Sequence, residues 1–139
     1  MAIIQFTIHG THKGTEYNPL PKLKMTGKQF WTPRAREYVL WKQHVRASFL
    51  VACKDAGHLN NRELRDHLYV LDGKPIKKSV AAGRMDIKIT WSSEVHGDPE
   101  NIFGSIADAL FENDKHLAGS FQYNHSPDKK ARVDVTITI

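Results

Sequence analysis

The stretch Arg84-Met85-Asp86-Ile87-Lys88-Ile89-Thr90-Trp91, followed a short segment later by Asp98-Pro99-Glu100-Asn101-Ile102-Phe103-Gly104-Ser105-Ile106-Ala107-Asp108-Ala109-Leu110, decides the fold. In the first half Met85, Ile87, Ile89 and Trp91 alternate with Arg84, Asp86, Lys88 and Thr90, which is the period of a strand with one buried face. In the second half Ile102, Phe103, Ile106 and Leu110 recur at helical steps. Asp98-Pro99 opens that helix, because the residue before proline avoids the helical region and Asp is a strong N-cap. Asn101, Ser105 and Asp108 fall on another face of it, with Gly104 close beside them.

Working outward, residues 3–9 alternate as a strand, and residues 10–28, rich in Gly, Pro and Lys, read as a loop. Thr32-Pro33 starts a second helix, expected to run to about His58 with Gly57 as its stop. Its buried stripe is Tyr38, Trp41, Val45, Phe49 and Ala52, with Arg34, Lys42 and Arg46 off the stripe and available to a partner. Residues 60–80 give a weaker signal, with a short helical turn around Arg62–Leu68 and a turn at Asp72-Gly73-Lys74-Pro75. Leu117–Tyr123 and Ala131–Ile139 make two further strands around Ser126-Pro127-Asp128. The order βαβαββ predicts an α/β (α+β) domain spanning residues 1–139, a mixed sheet packed with two main helices.

Composition narrows the function. The chain of 139 residues is 40% hydrophobic, enough for one core, and Cys53 is the lone cysteine, so neither an internal disulfide nor a zinc array of Cys/His spacing is possible. The alternating N-terminal residues lack the charged region of a signal sequence, and no run approaches the roughly 20 apolar residues of a membrane span, so a reducing, cytoplasmic setting is expected. The net charge of +5 is unevenly spread: residues 13–46 hold eight Lys or Arg against Glu16 and Glu37, and eight minus two gives +6, leaving the remainder about neutral. That segregation suits a polyanion, because each neutralised phosphate releases condensed counterions. The cations are Lys13, Lys22, Lys24, Lys28, Arg34, Arg36, Lys42 and Arg46, and Tyr17, Phe30 and Trp31 lie among them; Phe30 and Trp31 read either as stacking faces for unpaired bases or as core residues at a strand end.

The acidic groups gather elsewhere. Asp98 and Glu100 stand two residues apart at a helix entrance and Asp114 follows shortly after the helix ends, an oxygen-rich donor set of the kind that Mg²⁺ or Mn²⁺ prefers. Taken singly, Asp98 is a plain helix cap and the other two are surface charges. Asp108 is either a hydrogen-bond acceptor supporting such a site or a solvated helix residue. His96, His116 and His125 read as polar loop or strand residues, since imidazole suits zinc better than a hard ion. For Asp114 to join the other two, the helix must stop near Leu110 and the chain double back, because the five residues after Ala109 cover at most about 17 Å while the helix has advanced roughly 15 Å; the alternative is a site completed by a partner subunit.

Asp98-Pro99-Glu100-Asn101, then Ala107-Asp108-Ala109-Leu110, then Asn113-Asp114, together with the basic loop ending in Phe30-Trp31-Thr32-Pro33, resemble the RusA-like family of Holliday junction resolvases. The resemblance implies a homodimeric, metal-dependent endodeoxyribonuclease acting on four-way DNA junctions in recombination and repair. It implies that Asp98, Glu100 and Asp114 are the catalytic, metal-binding acids beside Asn101. Glu100 stands where that family usually has Asp. Gly104 stands where many members have a lysine; Lys115 or a lysine of the basic loop is a candidate to replace it. Three other readings remain: a nuclease for other branched DNA, a catalytically impaired junction-binding protein, and a basic scaffold or RNA-binding protein whose acids only cap a helix.

Overall fold

The computed structural model describes residues 3–9, 11–12, 15–16, 33–58, 83–91, 98–111, 117–126 and 131–138. They form strand β1 (Ile3–His9), a short pair β2 (Thr11–His12) and β3 (Thr15–Glu16), helix α1 (Pro33–Asp55), strand β4 (Arg84–Trp91), helix α2 (Pro99–Leu110), and strands β5 (Ala118–His125) and β6 (Arg132–Thr138). The main sheet has the order β1-β6-β4-β5. Its two outer pairings differ: β6 is antiparallel to both β1 and β4, while β4 and β5 are parallel. The expected βαβαββ order and mixed sheet with two helices are therefore present. One difference lies in the segment read as a loop, where β2 and β3 pair as a small second sheet. The turns expected within residues 60–80 lie outside the described residues.

Alternation explains the sheet. Register aligns Ile4, Ile137 and Met85 in one rung, Phe6, Val135 and Ile87 in the next, and Ile8, Val133 and Ile89 in the third. All nine are buried, so one face of the three strands is a continuous apolar layer. The opposite face carries the intervening polar residues, among them Arg84 paired with Asp86, and Asp134 accepting a hydrogen bond from Thr7 Oγ1 at 2.8 Å. The apolar face needs a lid, and α1 supplies one with Tyr38, Trp41, Val45, Phe49 and Cys53. Ala52, expected on that stripe, is only partly buried; Cys53, one residue on, takes the inner place.

Helix ends follow their local chemistry. Gly57 adopts φ +74°, and the chain closes α1 with His58 N–H donating to Cys53 O (2.8 Å) and Gly57 N–H donating to Lys54 O (3.2 Å). This paired closure satisfies carbonyls that the last helical turn leaves open, and only glycine enters the left-handed conformation without a Cβ penalty. At the start of α2, Asp98 is extended (φ −68°, ψ 124°), its Oδ1 accepts from Glu100 N–H at 2.9 Å, and Pro99 follows at the first helical position.

Candidate functional site

Topology fixes where α2 presents its acids. Because β1 and β4 are each antiparallel to β6, they run in one direction, and β5 runs parallel to β4. The helix joining parallel neighbours β4 and β5 must return against them, so its N-terminus lies toward the end where β4 and β5 finish. α1 makes a similar return over β1: its His44 Nε2 meets His9 O at 2.8 Å, and Phe49, further along the helix, packs its ring 5.6 Å from that of Phe6, earlier on the strand. Both helices therefore begin at the same edge of the sheet, the edge at which β1 leads toward the basic segment. In open α/β sheets this carboxyl edge is the usual seat of ligands.

A seam of polar contacts holds the helices together. Trp41 Nε1 donates to Ser105 Oγ (2.9 Å), whose hydroxyl donates to Ile102 O (2.7 Å). Tyr38 Oη donates to Asp108 Oδ2 (3.2 Å), and Lys42 Nζ approaches the same oxygen at 3.4 Å while lying 5.1 Å from the Tyr38 ring centre. Arg46 Nε donates to Ala109 O at 2.8 Å. That carbonyl belongs to the last turn of α2, which has no basic residue of its own, so a cation from α1 supplies the favourable charge at the negative end of the helix dipole.

The seam revises several expectations. Ser105, read onto a polar face, is fully buried and serves as acceptor for the buried Trp41. Asp108 is neither simply solvated nor beside Asp98: ten residues of helix separate them, about 15 Å, and its carboxylate ties α2 to α1. Lys42 and Arg46, expected to face a partner, are turned toward α2. Arg36 is exposed near the start of α1. Arg34 lies in α1, but its side chain is outside the described set, as are Lys13, Lys22, Lys24, Lys28, Phe30 and Trp31.

Asp98, Glu100 and Asn101 are exposed at the start of α2. Asp98 uses Oδ1 as the helix cap, and a carboxylate retains a second oxygen able to face a hard cation. The donors present fit such an ion in kind, being exposed carboxylates. Among the described residues no group of three or more His, Cys, Asp or Glu is close enough to hold a metal. Asp114, the expected third ligand, and Lys115, the expected substitute cation, lie outside the described residues, as do His96 and His116. The helix does end at Leu110, the condition that a return of the chain from there requires. Gly104 is half-buried within α2.

A groove on another part of the molecule contains none of these groups. A space of about 730 Å³ between β1 and α1 is lined by Phe6, His9, His44, Val51, Ala52 and Asp55, among others, and includes none of the expected acids. A scan of protein-family models and a search of curated proteins return no match to this chain.

Proposed function

We propose that the protein is a structure-specific endodeoxyribonuclease that hydrolyses phosphodiester bonds in branched DNA, with four-way junctions as its principal substrate. The observation that carries this reading is the exposed pair Asp98 and Glu100 at the start of α2, at the sheet edge where α1 also begins and where β1 leads into the basic segment. Exposed acids suited to a divalent cation, and a basic segment suited to phosphates, support this reading. Asp98, Glu100 and Asp114 would hold Mg²⁺ or Mn²⁺, which when bound supplies Lewis-acid activation of water and charge stabilisation on the phosphate. Asp98 orients its carboxylate through the hydrogen bond from Glu100 N–H, and Asn101 offers an amide beside the acids. Arg36 and the lysines before α1 neutralise the DNA backbone. A junction of approximate two-fold symmetry is resolved by two cuts, which a homodimer delivers.

The test is incubation of labelled mobile junction, replication fork and plain duplex with the protein, with and without Mg²⁺ or Mn²⁺. Paired symmetric nicks in the junction are expected; preferential fork cutting would redirect the assignment to other branched DNA. Asp98→Asn separates the two duties of this residue, since Asn caps a helix about as well as Asp but carries no charge. The variant should fold and bind junctions while losing at least about 100-fold in cleavage, a size in keeping with removal of a transition-state contact. Absence of cutting on every substrate with either metal would reject the enzyme and leave a DNA-binding module.

A further inference from the structure

The edge strand β5 has a feature that its partners lack. Its neighbours in the sheet bury their helix-side residues, but Phe121 is 43% and Tyr123 is 58% exposed, and His125 is exposed too. Register places Gly119, Phe121, Tyr123 and His125 opposite Met85, Ile87, Ile89 and Trp91, all four buried, so these β5 side chains stand on the helix-side face. At one end the strip is anchored: Phe103 of α2 lies 6.4 Å, centre to centre, from Phe121, and a Cβ on Gly119 would come within 2.9 Å of the Phe103 ring. From Phe103, α2 leads back to Glu100 and Asp98 over roughly 7 Å. Since α2 runs against β5, that is the direction in which the strand proceeds to Tyr123 and His125, a further ~13 Å past Phe121. The acids and the exposed rings thus lie toward the same end of α2 and β5.

We infer that Phe121, Tyr123 and His125 form a stacking strip for unpaired bases of branched DNA, toward the end of α2 that carries the acids. The inference rests on the function proposed above and adds where the unpaired bases of that substrate go. Residues 118–125 contain no Asp, Glu, Lys or Arg, so the strip suits neutral bases, while the exposed Arg36 at the start of α1 is a cation suited to phosphates. Aromatic faces accept any base, which matches recognition of a branch by structure rather than by sequence.

Binding is measured without metal, in EDTA, so that cleavage does not enter. The probes are an oligothymidine strand, a junction carrying unpaired thymidines at its centre, and a plain duplex. Tyr123→Ala should weaken binding of the first two by about tenfold or more, the range that loss of one stacked base gives, and leave duplex binding unchanged. Tyr123→Trp should restore it, which a merely structural role would not require, and Phe121→Ala should give a smaller loss because its ring is less exposed. Equal loss on all three probes, or none, overturns the strip. So does a wild-type dimer that Tyr123→Ala converts to monomer in sedimentation, which would make the strip a self-association surface. The two proposals fail separately: loss of single-strand preference in Tyr123→Ala with no cleavage by the wild type sustains the strip and removes the nuclease, and junction cutting with unaltered single-strand preference does the reverse.

Discussion

Single residues in this protein carry duties that their type alone does not announce. Cys53 is fully buried, and burial pushes its thiol up to about 11 from its ordinary 9.0, because the thiolate would lose its hydration. A thiol reagent at pH 8 should leave the folded protein unlabelled and modify it rapidly in denaturant; rapid labelling of the native state would mean that this part of the core opens. The raised value also has a sign for stability. The folded state keeps the proton longer than the unfolded chain, so this contribution is whole below the unfolded value and is lost as pH rises through about 11. Asp86 shows the opposite shift. Hydrogen bonds from Ser120 and Arg84 hold its carboxyl below the ordinary range, and its contribution fades as the medium becomes acid enough to protonate it. Asp98 sits at the junction of structure and proposed chemistry, since one oxygen caps the helix whatever the other does.

At the scale of elements, the α1–α2 seam holds the second half of α2 against α1. The contacts differ in worth. Ser105 Oγ is the acceptor for a tryptophan N–H with no access to water, so Ser105→Ala should cost about 1–3 kcal/mol in urea unfolding, the penalty of a stranded buried donor. Asp108→Asn keeps an oxygen for Tyr38 and gives up only a 3.4 Å pair whose aspartate side is 40% exposed, so its cost should stay below about 1 kcal/mol. If the order of the two effects were reversed, the seam would be electrostatic rather than held by its buried hydrogen bond. Both helices were legible from period and caps: Gly57 closes α1 and Asp98-Pro99 opens α2 as their residue types require. The pairing of β2 with β3 was not, because two-residue strands carry no period to read. β5 was read too short at its end, since Asn124 and His125 add no apolar alternation and only their register with β4 makes them strand.

For the molecule as a whole, metal and fold should be thermodynamically linked. A cation that binds the native acids and not the unfolded chain stabilises by about 2.7 kcal/mol at a concentration of one hundred times its Kd. Thermal unfolding of the wild type should therefore shift upward with added Mn²⁺, and that of Asp98→Asn should shift much less; equal shifts would remove Asp98 from the metal. The amino-acid sequence by itself determined the element order, the inward residues of β1, β4 and β6 and the helix ends. These follow from local rules of period and capping, which need no knowledge of neighbours. Tertiary structure alone decided the rest: that Ser105 is inside, that Lys42, Arg46 and Asp108 bind helix to helix, and that Phe121 and Tyr123 stand exposed on the edge strand with Phe103 of α2 against Phe121. Which side of a helix meets another helix, and which strand is left at an edge, depend on residues more than sixty positions away in the chain for the seam, and no local pattern encodes a contact at that distance.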